Sequence, residues 1–295
     1  MPTHHGGRHE HGQNHLTDAR VVYRIVDLVR GTDGPLLEIG PGTGALTLPL
    51  QELDRPLTAV EIDGRRVQHL RRRVDPHVDL VHGDVLDHAF PDEPHVVVGN
   101  LPFHLTTAIL RTLLHAPGWT EAVLVVQWEV ARRRAGVGGT SMMTAQWWPW
   151  VDFRVHERIP ARAFDPVPGA DAGLLTLRRR GTPFVDPARQ AAYRSFVHRV
   201  FTGRGRGLEA VLTGIVGPAR RPAVRHRLAS DGIHPMALPK HLTAAQWAGL
   251  FAELGPSGTA GRGSSGRGRP SGDRGRGRRR RRQRTGRGRA RRPDR

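Results

Sequence analysis

The chain has 295 residues, of which 37% are hydrophobic and none is cysteine, and it carries a formal net charge of +19. Without cysteine there is no disulfide, thiolate-bound zinc, Fe–S cluster or thiol nucleophile; with no apolar run near the roughly 18 residues that span a bilayer, the chain reads as cytoplasmic, without a membrane partner. The charge is uneven: residues 256–295 hold 16 Arg and 2 Asp, a net of +14, so the preceding 255 residues carry only +5.

Residues 1–12 ("MPTHHGGRHEHG") are polar and rich in Gly and His, which predicts a disordered segment. Its histidines lack the fixed spacing on an ordered element that a metal needs, so no metal is expected. From 13 to 180, apolar runs at 35–40, 57–62, 78–83, 95–100 and 122–127 alternate with helical stretches such as 43–53, 65–73 and 106–115. Short β-branched runs buried on both faces, each followed by a helical period, predict an α/β fold with a mostly parallel, doubly wound, Rossmann-like sheet. Segments 153–159 and 172–179 flank a Pro-rich loop and predict a late antiparallel pair. Residues 181–255 change character: 186–201, 206–216, 222–230 and 243–254 read as short helices of a small second domain, the last capped by Thr243 and stopped at Gly255-Pro256. The tail, with 10 Gly and no aliphatic side chain beyond two Ala, cannot bury enough apolar area to offset its ordering entropy and is predicted to be disordered.

The stretch "LLEIGPGTGALT" (36–47) delivers Glu38 on a strand, then uses Gly40, Gly42 and Gly44 for a tight turn, with a helix expected from Thr43 onward. Missing Cβ atoms let backbone approach a ligand at a strand's C-terminal end, the usual ligand crevice of such sheets. The next strand ends in Glu61, where a carboxylate can accept both ribose hydroxyls, and the third ends in "HGD", placing Asp84 to accept an adenine amino hydrogen. The loop contains no Lys or Arg to clamp a pyrophosphate. An adenosine without one is expected, and S-adenosylmethionine fits.

Residues 96–110, "VVVGNLPFHLTTAIL", end a strand in an amide, a proline and an aromatic ring. An exocyclic adenine amine is a poor nucleophile because its lone pair is delocalised into the ring. Two acceptors aimed at its two hydrogens favour the pyramidal, nucleophilic form: the Asn100 side-chain oxygen and the Leu101 carbonyl. Pro102 stiffens the turn. Phe103 can stack on a base drawn out of its helix and stabilise positive charge developing on the amine. No general base is needed, because the methylated ammonium loses its proton readily. Trp128, Trp147, Trp148 and Trp150 read as core rather than stacking platforms, and Arg132, Arg133 and Arg134 as candidates for phosphate contacts beside the site.

"GQNHLTD", "EIGPGTGALT", "EID", "HGDVL" and "GNLPF" occur in the order seen in the rRNA adenine N6-methyltransferases, which the chain resembles over residues 12–255. That family spans the Erm erythromycin-resistance enzymes and the KsgA-type dimethyladenosine transferases. "GNLPFHLTTAIL", "LVVQWEVARRRAGVGG" and "MMTAQWWPW" resemble the Erm branch. The resemblance implies a class I methyltransferase fold, with Asn14, Leu16, Gly40, Glu61, Asp84 and Asn100 around S-adenosylmethionine. Asn100, Leu101 and Phe103 would handle the target adenine, and the helical domain would bind RNA. It further implies 23S rRNA as partner, met before the ribosome is fully assembled, a monomeric enzyme, and resistance to macrolides, lincosamides and streptogramin B. His15 stands where the family more often has Phe. A KsgA-type assembly enzyme would read "NLPYNIS" where this chain has "NLPFHLT", and a relative reduced to RNA binding would not need Gly40, Glu61, Asp84 and Asn100 together. The amine chemistry alone would equally suit a DNA adenine methyltransferase. The Arg-rich tail is expected to attract RNA through counterion release without reading sequence.

Overall fold

Strands buried on both faces must lie inside a sheet covered by helices on either side, and the chain folds accordingly. The structure is a computed structural model that describes residues 14–256. The expectations for residues 1–12 and for the tail beyond Pro256 lie outside them.

In chain order the elements are β1 (His15–Leu16), α1 (Ala19–Arg30), β2 (Leu36–Ile39), α2 (Thr47–Gln51), β3 (Leu57–Glu61), α3 (Gly64–Leu70), β4 (Val78–His82) and β5 (His95–Asn100). There follow α4 (Thr106–His115), β6 (Trp119–Gln127), α5 (Trp128–Arg134), α6 (Met142–Trp147), β7 (Val151–Ile159), β8 (Phe164–Asp165) and β9 (Ala172–Arg179). Helices α7 (Gln190–Thr202), α8 (Gly207–Val216), α9 (Arg221–Ser230) and α10 (Ala244–Leu254) complete the described chain. Seven strands form one sheet in the order β4-β3-β2-β5-β6-β9-β7. The first five are parallel, and β9 runs antiparallel to both β6 and β7, which supplies the late antiparallel pair. Winding reverses between β2 and β5, so their C-terminal ends flank the crevice where ligands bind in sheets of this kind.

Two features differ from the expectation. Helix α2 begins at Thr47 rather than Thr43, because Gly42 and Gly44 hold φ of +56° and +91°, values a right-handed helix cannot contain. The N-terminal segment is also clipped to the Pro-rich loop by a separate two-stranded sheet, His15 opposite Asp165 and Leu16 opposite Phe164. Thr17 reinforces the clip, its backbone N–H and its hydroxyl both donating to the Ala163 carbonyl at 2.8 and 3.1 Å.

One hydrophobic cluster runs from the sheet into the helices after residue 180, joining Leu37, Val97 and Leu124 to Tyr193, Phe196, Trp247 and Phe251. Trp150 meets Tyr193 edge to face with centroids 5.3 Å apart, and the Tyr193 hydroxyl donates to the Ala145 carbonyl at 2.8 Å. Thr243 caps α10 with a reciprocal box to Gln246, so this helix starts where the sequence signals it.

Candidate active site

The crevice at the β2–β5 switch point is a cleft. Asn14, His15 and Leu16 line it from the clip, Glu38, Gly40 and Gly42 from the end of β2, and Asn100, Leu101, Pro102 and Phe103 from the end of β5. Of the sequence-predicted site residues, Asn14, Leu16, Gly40, Asn100, Leu101 and Phe103 thus meet around one space. Glu61 and Asp84 do not reach the cleft surface. Glu61 ends β3, and Asp84 follows the end of β4 by two residues.

Asn100 is held by its nitrogen. Its Nδ2 donates to the Asn14 carbonyl at 2.8 Å, and since a carbonyl can only accept, the amide's orientation is fixed and Oδ1 faces the other way. The Leu101 N–H donates to the Val125 carbonyl at 2.9 Å, tying the turn to β6. Among the described residues no donor occupies Asn100 Oδ1 or the Leu101 carbonyl. The Thr106 hydroxyl and the Leu105 N–H both donate to the Pro102 carbonyl at 3.0 Å, which anchors the turn to the start of α4. Phe103 is half-buried, packed against the cluster that contains Leu16 and Phe164. Its ring is therefore supported from behind while still lining the cleft.

Glu61 is only 2% exposed, and both of its oxygens are already engaged. Oε2 accepts from the Gly42 N–H at 2.9 Å and Oε1 from the Asp63 N–H at 3.0 Å. The sequence reading had both oxygens open to a ribose; in the structure Glu61 also braces the glycine turn, with one further lone-pair direction left on each oxygen. Asp84 is half-buried and caps its own turn, Oδ1 accepting from the Leu86 N–H at 2.8 Å.

Glu38 is the residue whose importance the sequence concealed. It is 1% exposed at the end of β2 and borders the cleft, and its Oε2 has no hydrogen-bond partner among the described residues. Burial pushes its carboxyl up to about 8; the neighbouring Thr47 hydroxyl offsets part of the rise, and the Glu61 charge adds a smaller push upward. A strand-end acid before a glycine turn was visible, but its isolation from donors was not. His15 is half-buried, its ring resting where a Cβ on Gly42 would come within 3.3 Å of Nδ1. Burial, aided by the Arg66 guanidinium, keeps this imidazole below its ordinary range against the opposing charges of Asp165 and Glu61.

The aromatic residues behave largely as core. Trp147 and Trp150 are buried, and Trp128 and Trp148 half-buried. The arginine triplet requires a correction. Arg134 is buried and bonded to the Ser141 hydroxyl, and Arg132 is clamped on Glu129 through two hydrogen bonds of 2.7 and 2.5 Å. Arg133, with 64% of its side chain exposed and only a loose 4.0 Å pairing with Glu129, is the most open of the three to a phosphate. An i,i+3 acid ahead of the triplet and a serine in the following turn absorbed the other two.

The sequence profile of the ribosomal RNA adenine dimethylase family matches residues 4–255. The chain belongs to this family. It is 53% identical over 207 residues to an rRNA adenine N-6-methyltransferase of Corynebacterium diphtheriae, an alignment covering 70% of this chain and 82% of the relative. It is 46% identical over 268 residues to the mycinamicin-resistance protein MyrB of Micromonospora griseorubida, covering 90% and 85%. The crystal structure of the 23S rRNA methyltransferase ErmE superposes with a TM-score of 0.75 at 35% identity, covering 82% of this chain and 99% of that one. The enzymes of this family use S-adenosylmethionine, and the cleft suits it: the glycine turn leaves open space over Gly40, and Glu38 borders that space with an unpaired oxygen.

Proposed function

We propose that this chain transfers a methyl group from S-adenosylmethionine to the N6 amine of an adenine in 23S rRNA, and so confers resistance to macrolide, lincosamide and streptogramin B antibiotics. The observation that carries the reading is the locked Asn100 amide, whose oxygen and the Leu101 carbonyl are both left without protein donors at the mouth of β5. S-adenosylmethionine supplies an electrophilic methyl on a positively charged sulfur. The chain supplies the rest. Asn100 Oδ1 and the Leu101 carbonyl accept the two amine hydrogens, drawing the nitrogen lone pair out of conjugation. Phe103, backed by Leu16 and Phe164, stacks on the base and presents its ring face to the charge that develops on the amine. The methylated nitrogen then releases a proton to solvent. Gly40, Glu61 and Asp84, with Asn14 and Leu16 from the clip, hold the adenosine and methionine parts of the donor.

On this reading residues 13–180 are the catalytic part, and the helices of 181–255 add RNA-binding surface. The enzyme acts as a monomer in the cytoplasm, on 23S rRNA not yet enclosed in a finished ribosome. The Erm-type reading is favoured over a KsgA-type one by the "NLPFHLT" mouth and by the extent of the match to MyrB. Incubation with methyl-labelled S-adenosylmethionine and separated, protein-free 23S and 16S rRNA tests it. Label should enter 23S rRNA, and ribosomes from cells expressing the protein should bind erythromycin poorly. Label confined to 16S rRNA would transfer the chain to the assembly branch.

A further inference from the structure

Helix α1 leaves the active-site clip and buries one stripe, Val21, Ile25, Val26 and Val29. Its opposite face presents Arg20, Tyr23 and Arg24 at i, i+3 and i+4, one contiguous outward row. Tyr23 is 66% exposed, whereas the chain's other tyrosine, Tyr193, is fully buried. A large aromatic standing in water on a charged helix face has no folding purpose in the described structure. It overlooks a shallow depression formed by Thr43, Ala45 and Pro49 of the glycine-turn segment.

Beside that row lies a groove whose far bank is the end of β7 and the turn after it. Four arginines line it, Arg20, Arg24, Arg158 and Arg162, against Asp18 and Glu157. Arg20 is paired with Asp18 at 3.3 Å and Arg158 with Asp171 at 2.7 Å. Arg24 and Arg162 are exposed and have no acidic partner among the described residues. Their charge reaches neighbouring groups: burial and then the cations Arg154 and Arg24 lower the pKa of His156. Four arginines against two acids leave the groove a surplus of positive charge, which is unfavourable in the free protein and becomes favourable when a polyanion neutralises it. Guanidinium forks suit phosphate oxygens.

The groove is joined to the cleft by backbone. Thr17 and Asp18, at the foot of α1, both donate to the Ala163 carbonyl at 2.8 and 3.3 Å, and Ala163 follows directly on Arg162. The residues just before them, Asn14 to Leu16, line the cleft. One short stitched segment therefore separates the space for the target base from the two banks of the arginine groove.

We propose that α1 is the ridge over which the single-stranded RNA flanking the target adenine passes: Arg24 and Arg162 take its phosphates, and Tyr23 stacks on a neighbouring base. The proposal rests on the rRNA reading above and names the surface that RNA occupies outside the cleft. Single strands are held in this way, by cations tracking the backbone and aromatic rings under bases. Arg24 and Arg162 act in binding and positioning; neither touches the reacting atoms.

The test uses the full chain and protein-free 23S rRNA. The double variant Arg24→Ala/Arg162→Ala should raise KM for the RNA about tenfold or more while leaving kcat within about twofold, and calorimetry should show parental S-adenosylmethionine affinity, which also certifies the fold. Losing two phosphate contacts should flatten the slope of log affinity against log salt by about 1.4, the single-strand value for two charges. Tyr23→Ala should raise KM by a similar factor, and Tyr23→Phe should restore it because the ring face remains. Arg30→Ala removes one charge from the last turn of the same helix, where it is paired with Asp27 outside the groove, and should match the parent. Parental KM and salt slope in the double variant, or an equal loss in Arg30→Ala, would overturn the proposal. If the parent binds 23S rRNA in a groove-dependent way yet transfers no methyl to it, the functional reading fails and the RNA ridge stands.

Discussion

The wall of the cleft built from β2 and the glycine turn is braced by buried carboxyl groups, whereas the wall built from the end of β5 leaves its acceptors without protein partners. On the first, Glu61 is 2% exposed with both oxygens on backbone N–H groups, and Glu38 is sealed without a donor. On the second, Asn100 uses only its nitrogen on the protein, and the Leu101 carbonyl is free. The difference teaches how one crevice can serve two reactants. A wall that grips the donor can be rigid and charged, because it has only to hold. A wall that activates an amine must leave neutral acceptors unoccupied, at fixed positions, until the base arrives.

The sharpest break in that comparison is at Asn100. Asn100→Ala should lower single-turnover methyl transfer by about 100- to 1,000-fold, the scale seen when one preorganised polar group is removed from an active site. S-adenosylmethionine affinity should change far less. A fast Asn100→Ala enzyme would mean that the free acceptors of the β5 wall do not activate the amine.

The braced wall breaks differently. Glu61→Ala removes two charge-assisted acceptors, one from the Gly42 N–H of the glycine turn and one from the Asp63 N–H, each worth about 1.5–3 kcal/mol. It should weaken both S-adenosylmethionine binding by calorimetry and resistance to urea. Loss of affinity with full stability would leave Glu61 a ligand contact and deny it the bracing role.

Phe103 tests the supported ring. Phe103→Ala should cost about 1–3 kcal/mol in RNA binding with cofactor affinity intact, and Phe103→Tyr should recover most of it. Methylation at the parental rate by Phe103→Ala would remove stacking from the mechanism.

The smallest effect on turnover and the clearest pH signature belong to Glu38. The folded carboxyl keeps its proton up to about 8, whereas an unfolded glutamate releases it near 4.5. Its contribution to stability is therefore complete at acid pH and is lost as pH rises through that window. Glu38→Gln has no proton to lose, so in urea titrations between pH 5 and about 8 the variant should gain on the parent as pH increases. Parallel curves would show that Glu38 is already ionised.

The central sheet was legible because its signals are local. "PLLEIG", "LTAVEI" and "HVVVGN" carry β-branched residues too apolar for a surface strand, and Thr243 announces α10 by its own hydrogen bond with Gln246. The late antiparallel pair followed from the same patterning. The clip did not: His15–Leu16 and Phe164–Asp165 are two-residue strands with no period, and Thr17 meets Ala163 across 146 positions. That clip places Asn14 where its carbonyl can orient Asn100, so the most consequential contact of the site depends on the least legible element. Arg134 misled for a related reason. An arginine in a basic run reads as solvated, and only packing shows it turned inward to Ser141. The start of α2 is not legible because spacing alone does not reveal the positive φ of Gly42 and Gly44.

The most direct measurement is the position of the new methyl group. Protein-free 23S rRNA treated with the parent or with Asn100→Ala and S-adenosylmethionine, digested to nucleosides and resolved by mass spectrometry, reads it atom by atom. The account predicts N6-methylated adenosine from the parent and almost none from Asn100→Ala. A methyl on a ring carbon or a ribose 2′ oxygen, or equal N6 methylation by the variant, would contradict it.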